Sequence, residues 1–322
     1  MTKDKTIVCV SASFEQGEVL LETIKKYAHY SDKRFAYWDE FAFTTDLLTD
    51  CDALLVFNTP AENIHTFCHP EKVIAFMMEP GVRDKHPWMF KGLHQYHKVY
   101  SPIGQSANTI SSHGFLGWYS HHNFTFFKNL AIPEKTRSVS CIASGLQQLE
   151  GHRLRLSFIK TLQQQFGQID FFGRDTHFLS DKMDGLLPYR YSIAIENSSQ
   201  PHYFTEKIND CFLAYTVPVY HGCKNIGRYF PERSFVQIDI ENPKQSIDQI
   251  QSLLINDDWE SRLEAVKEAR ELVLTKYQPL AGAAAIFRET HVVSGKKNIV
   301  AKTVRTDLLK RLKTKLYQLI TS

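Results

Sequence analysis

Short apolar, β-branched runs alternate with longer stretches of helical periodicity, and they do so in two successive series. In the first series "TIVCVSA", "ALLVFN" and "KVIAFMM" have the continuous apolar character of strands buried on both faces. Between the first two, "GEVLLETIKKYAHY" places Val19, Leu20, Ile24 and Tyr27 at helical spacing. "KVYSPI" and "GFLGWYS" are further strand candidates, and the polar stretch "NLAIPEKTRS" reads as a linker. A second series follows: strand "SVSCIAS", helix "HRLRLSFIKTLQQQFG" closed by glycine, and strands "IDFFG", "YRYSIAIEN", "VPVYHG" and "SFVQIDI". Helical patterns "KQSIDQIQSLL" and "DDWESRLEAVKEARELVLTKY" complete it. Such alternation demands α/β architecture with mainly parallel sheets, here two Rossmann-like domains facing across a cleft. The expected units are residues 1–135, residues 136–290 and a tail, 291–322.

A chain of 322 residues can bury two such cores, and 43% hydrophobic against 23% charged residues is the balance of a folded protein. A net charge of only +3 does not point to nucleic acid. The six cysteines are scattered without CxxC, and Cys9, Cys141 and Cys211 fall in apolar runs, as reduced thiols acting as small hydrophobes do. The charged, strand-like start lacks the pattern of a secretory leader, and no run approaches the roughly 20 apolar residues of a membrane span. These features lead us to expect a cytoplasmic protein.

The chemistry concentrates where one strand hands over to a helix, in "SIAIENSSQPHYFTEKINDCFLAYTVPVYHG". Thr205 is an N-cap residue, and Ile208, Cys211, Phe212 and Tyr215 form one apolar stripe behind it. Glu206 and Lys207 then fall in the first turn, at the end of the sheet where open α/β folds bind ligands. Free N–H groups and the helix dipole favour an anion there; Lys207 adds a full charge, and Glu206 can accept hydrogen bonds from hydroxyls such as those of a ribose. A nucleoside diphosphate conjugate fits both demands. Taken alone, the pair is equally compatible with a surface acid that suits the dipole and a solvated lysine.

The wider stretch resembles the C-terminal signature of the α-1,3/1,4-fucosyltransferases. That signature is an aromatic-rich strand ending in Glu-Asn, a short loop, Tyr-x-Thr-Glu-Lys, a helix, and a Val-Pro-Val strand closing in Gly. Its elements here are Glu196, Asn197, Ser198, Tyr203, Thr205, Glu206, Lys207, Val217, Pro218, Val219 and Gly222. "RYFPERSFVQIDI" resembles the family's continuation, and the likeness covers about residues 140–250.

The resemblance implies a GT-B fold and an inverting transfer of fucose from GDP-fucose to a glycan hydroxyl, on a cell-surface polysaccharide or lipopolysaccharide. By the same resemblance Glu206 holds the donor ribose or sugar, Lys207 its phosphates, and Tyr203 and Asn197 line the pocket. The family's pyrophosphate arginine corresponds to Arg155, with Arg153 as the neighbouring alternative. Glu79, ending "KVIAFMME" before a Pro-Gly turn, resembles the family's base, although the residues after it depart from the usual pattern. A glutamate that only caps that turn is the other reading. His86, His113, His121 and His122 are further ionisable candidates among 14 histidines. Apart from "QIDIEN" no Asp-x-Asp follows an apolar run, so no metal ligand and no metal requirement are expected. Alternatives are a sister glycosyltransferase using another nucleotide sugar, or a non-catalytic nucleotide-sugar or glycan-binding protein.

In residues 296–322, Val304, Leu308, Leu312 and Leu316 recur every four positions among Lys310, Arg311, Lys313 and Lys315. The pattern suits a basic amphipathic helix on an anionic membrane face, where the acceptor would be lipid-linked. It also suits a terminal helix docked on the protein.

Overall fold

The computed structural model describes residues 5–104, 106–143, 150–173 and 177–304. The first series forms an eight-stranded sheet from β1 (Thr6–Ala12), β2 (Tyr30–Ser31), β3 (Ala36–Trp38), β4 (Phe41–Thr44), β5 (Ala53–Phe57), β7 (Val73–Phe76), β8 (Lys98–Ser101) and β9 (Thr109–Ser111), in the order β2-β3-β4-β1-β5-β7-β8-β9. From β4 to β9 every pairing is parallel, and β2–β3–β4 is an antiparallel edge. The central strand β5 is wholly buried, as its unbroken apolar run requires when both sheet faces are covered. Helix α1 (Gly17–Lys25) covers one face through Leu20, Leu21 and Ile24.

The second series forms an all-parallel sheet, β11-β10-β12-β13-β14, from β10 (Arg137–Ile142), β11 (Ile169–Phe172), β12 (Tyr189–Ile195), β13 (Val217–His221) and β14 (Val236–Gln237). This is the doubly wound 2-1-3-4-5 order, whose ligand crevice lies beyond the carboxyl ends of the strands. Its helices are α3 (Glu150–Gln165), α4 (Glu206–Leu213), α5 (Pro243–Asn256) and α6 (Trp259–Leu272).

Several sequence expectations change. "GFLGWYS" forms no ladder, because Leu116 and Gly117 give their carbonyls to Asn209 Nδ2 on α4, each at 2.9 Å. The linker "NLAIPEKTRS" is not free chain. Helix α2 (Phe124–Asn129) runs into it, and Lys135 is buried, donating to the carbonyls of Leu187 (2.9 Å) and Ala214 (2.7 Å) and to Thr216 Oγ1 (3.0 Å). Strand β14 is shorter than "SFVQIDI", since the Asp239 N–H turns away to Ser246 Oγ.

The longest-range change concerns the end of the chain. Helix α7 (Pro279–Glu289) lies within the segment the sequence assigns to the second unit, yet it packs on the first. Phe287 meets Phe41, Arg288 binds Glu40, and the Gly282 backbone lies so close to the Phe115 ring that a Cβ there would sit 2.2 Å from it. After it, β15 (Lys297–Ala301) pairs antiparallel with β6 (Ile64–Cys68). Residues 296–304 therefore begin as a strand, and the proposed helical spacing beyond residue 304 lies outside the described residues. All six cysteines are buried and free.

Candidate active site

Strand β12 ends at the crevice in Glu196, whose carboxylate is wholly buried. It accepts from the Thr205 N–H (2.8 Å) and from Thr205 Oγ1 (2.8 and 3.0 Å). Thr205 in turn caps α4, as its place before the apolar stripe requires, so strand end and helix start are tied through one side chain. Lys207 Nζ lies 3.3 Å from Glu196, 3.0 Å from Glu206 and 3.1 Å from Thr205 Oγ1. Burial disfavours its ammonium, but the two carboxylates outweigh that and push its pKa upward, so Lys207 stays charged. For Glu206 burial works against ionisation, yet Lys207 and Lys182 hold its carboxyl well below the usual range. A quarter of each of the two side chains, 26% for Glu206 and 25% for Lys207, faces the crevice.

Tyr203 is buried and donates from its hydroxyl to Asn197 Oδ1 at 3.0 Å. Arg155 is buried while Arg153 is exposed on the opposite side of α3. The reason lies one turn earlier: a Cβ on Gly151 would sit 2.2 Å from the Asn197 carbonyl oxygen. Only glycine lets α3 approach the end of β12 so closely, and Arg155, on the same face as Gly151, is carried in with it. Its guanidinium loses water by burial and gains from the charges of Glu196 and Glu206. The six residues singled out from sequence thus divide into a cluster of five and one residue opposite.

That one is Glu79. Asn58, in the left-handed region at φ 62°, accepts from the Met78 N–H (2.8 Å) and donates its own N–H to Phe76 (2.8 Å), holding the chain as it leaves β7. The next turn reaches the second half, where Gln200 donates to the Pro80 carbonyl. The Glu79 side chain is 43% exposed, with His86 Nε2 3.7 Å away. Partial desolvation raises its pKa, the charge of Glu206 raises it further, and Lys207 opposes both. Glu79 therefore feels the charges of the Glu206–Lys207 turn across the crevice.

The histidines part company. His113 is buried among Phe115, Phe204, Tyr229 and Tyr277, and burial lowers its pKa to about 3, so it is a packing residue. His86 stands beside Glu79. His121 and His122 meet Asp181, and among the described residues this is the group whose donors could hold a metal ion. The spacing in sequence did not reveal it, nor the anchoring role of Glu196. A separate cavity of about 420 Å³ at the outer edge of the second sheet, lined by Arg137, Asp170, Phe172, His177 and Tyr189, shares no residue with this site.

Known proteins match this arrangement. Residues 132–263 match the model of the glycosyltransferase family 10 (fucosyltransferase) C-terminal region. Over 189 residues, 57% of the chain and 50% of the relative, the sequence is 26% identical to the gorilla 4-galactosyl-N-acetylglucosaminide 3-alpha-L-fucosyltransferase FUT6. Over 76 residues, 23% of the chain and 16% of the relative, it is 33% identical to the Helicobacter pylori alpha-(1,3)-fucosyltransferase FucT. The chain thus spans half or less of these curated relatives. An α1,3-fucosyltransferase solved with GDP aligns with 89% of the chain and 91% of its own, at a TM-score of 0.54 and 15% identity, which shows a shared fold. The two facing Rossmann-like sheets are the GT-B fold. Through the segment that contains Arg155 and the Glu196–Lys207 turn, about two fifths of the chain, the sequence is similar to glycosyltransferase family 10, the fucosyltransferases.

Proposed function

We propose that this protein is an inverting glycosyltransferase that moves fucose from GDP-fucose to a hydroxyl of a glycan acceptor. The carrying observation is the ionised Lys207, held by buried Glu196 at the capped start of α4, with buried Arg155 beside it. The solved structural relative holds GDP, and the curated relatives are named fucosyltransferases, which supports the choice of nucleotide and sugar.

In this reading Glu206 accepts from donor hydroxyls, Tyr203 and Asn197 line the pocket, and Lys207 and Arg155 meet the diphosphate. As the acceptor oxygen attacks C1 of fucose from the face opposite the nucleotide, the C1–O bond to phosphate breaks and its electron pair leaves with GDP. Charge grows on the diphosphate as this happens, and the two cations with the α4 N-terminus stabilise it in the transition state. The acceptor proton passes to Glu79, a base with a raised pKa on the opposite wall. The cations do the work a divalent ion would otherwise do, so we expect transfer without added metal.

We further propose a cytoplasmic location, with the basic segment beyond residue 304 against the inner membrane face and a lipid-linked acceptor; the four-residue recurrence of Val304, Leu308, Leu312 and Leu316 among basic residues supports the membrane contact. No helix of the described residues is long and apolar enough to cross a membrane. The decisive experiment is a thermal-shift screen of nucleotide sugars in EDTA, followed by donor hydrolysis and transfer assays. Stabilisation by GDP and GDP-fucose with turnover supports the reading. Selective stabilisation by another nucleotide sugar changes the donor, and binding without turnover makes the protein a binder.

A further inference from the structure

The two halves meet at a second cluster of polar side chains beside α4, next to Lys182, whose charge bears on Glu206. His122 Nε2 lies 2.8 Å from Asp181 Oδ2, His121 Nδ1 lies 3.8 Å from Asp181 Oδ1, and the donor atoms are all within 4.8 Å of one another. We infer that His121, His122 and Asp181 form a site for a divalent transition metal of the zinc type, joining the two halves of the molecule.

The donor set is two imidazole nitrogens and one carboxylate oxygen, a combination that suits zinc with water completing a tetrahedron. Zinc bonds to such donors are about 2.0–2.2 Å long, so two ligands of one ion sit roughly 3–3.5 Å apart. His122 Nε2 and Asp181 Oδ2 already lie 2.8 Å apart, and with all three donors within 4.8 Å of one another the set closes on an ion when the His121 ring moves inward.

Both walls are held in place before any ion arrives. The His122 carbonyl accepts from Trp118 Nε1 at 2.8 Å, and its ring stacks on Phe126 at 3.8 Å with planes 11° apart. Asp181 caps the turn Lys182–Gly185, its Oδ1 accepting from the Met183 N–H at 3.0 Å, which leaves Oδ2 directed to His122. His121 is the exposed member, with a side chain 67% exposed.

What the ion would join is specific. His121 and His122 follow Tyr119, whose N–H donates to Asp210 Oδ1 at 3.1 Å. Asp181 precedes Lys182, whose Nζ lies 2.6 Å from Asp210 Oδ2. Asp210 is wholly buried on α4, one turn beyond Glu206. The two sides of the metal site thus clasp Asp210 from both halves, and an ion between them locks the seam against which α4 is seated. Its ligands are none of the residues of the diphosphate cluster, and its place is structural.

The test uses the full chain, stripped with EDTA and titrated with zinc by calorimetry, with cobalt as a spectroscopic surrogate. One saturable ion per chain with a raised melting temperature is expected, because a ligand bound only by the folded state stabilises it. His121→Ala, which removes an exposed side chain and should fold normally, and Asp181→Asn should each weaken zinc at least tenfold. His94→Ala, an exposed histidine elsewhere, should bind as the parent does. Absence of saturable binding, or affinity unchanged in both His121→Ala and Asp181→Asn, overturns the assignment. The readout does not involve the sugar donor, so it stands or falls apart from the proposed transfer activity.

Discussion

The ammonium of Lys207 lies 3.3 Å from the wholly buried carboxylate of Glu196. A buried carboxylate is tolerated only when its acceptors are used, and here Thr205 supplies two donors and Lys207 the charge. Glu196 therefore fixes where the Lys207 charge sits. Lys207→Ala and Arg155→Ala should each weaken GDP binding about tenfold or more, the consequence of losing a charge-assisted contact of roughly 1.5–3 kcal/mol. Calorimetry showing parental affinity in both variants would remove the diphosphate from this site.

Glu196→Ala has a different signature. It leaves Lys207 without its buried partner and the Thr205 N–H without an acceptor, so the loss should appear in stability. Breaking such a buried pair costs about 3–5 kcal/mol, read by denaturant unfolding, where exposed Glu264→Ala should have little effect.

Gly151→Ala tests the approach of α3. An added methyl would meet the Asn197 carbonyl at 2.2 Å, and neither backbone can give way cheaply. We expect a destabilisation of about 1–3 kcal/mol with weakened GDP binding, since Arg155 rides on the displaced helix. Melting temperature and GDP affinity that both match the parent would show that the helix position is immaterial.

Glu79→Gln should keep donor affinity and cut transfer by roughly 10²–10⁴-fold, because the amide preserves shape but cannot take the proton. The raised carboxyl pKa adds a pH signature: a base must be unprotonated, so transfer falls as pH drops through that pKa. The residual activity of Glu79→Gln should lack this acid limb. If Glu79 served only its turn, the variant would instead melt earlier and turn over nearly normally, and His86 would be the next base to examine.

Lys135 should make stability depend on pH. Burial lowers its pKa to about 7, whereas in the unfolded chain it returns to an ordinary lysine value near 10.5. Between these values the unfolded state binds more protons, so this group makes stability rise as pH increases from about 7 to 10.5. Lys135→Met should flatten that rise and orphan the Leu187 and Ala214 carbonyls, at about 1–3 kcal/mol each. Denaturant melts across this pH window check both effects.

For the basic tail, the pairing of Lys297–Ala301 with Ile64–Cys68 sets where a truncation belongs. Cutting after Val304 spares that strand and should abolish sedimentation with anionic liposomes while leaving GDP binding intact. High salt should act likewise, since basic residues attract such a surface over about a Debye length. Sedimentation unaffected by the cut ends the membrane proposal.

Sequence alone determined the features that act within a few residues. The alternation of buried strands and amphipathic helices, the N-cap at Thr205 and the first-turn Glu206 and Lys207 depend on side-chain period and local capping, and the structure repeats them. The Val-Pro-Val strand beside "YSIAI" is of the same kind, because a fully buried parallel strand must be apolar throughout. Folding decided what rests on contacts distant in sequence. The seating of Arg155 depends on Gly151 against Asn197, the pinning of Lys207 on Glu196, and the return of α7 on Gly282 against Phe115. Glu79, in the loop after a strand of the first sheet, and Glu206, at the start of a helix of the second half, feel one another only because the two halves face across one crevice. His121, His122 and Asp181 converge for the same reason. Periodicity states which face of an element is buried, and only packing states against what.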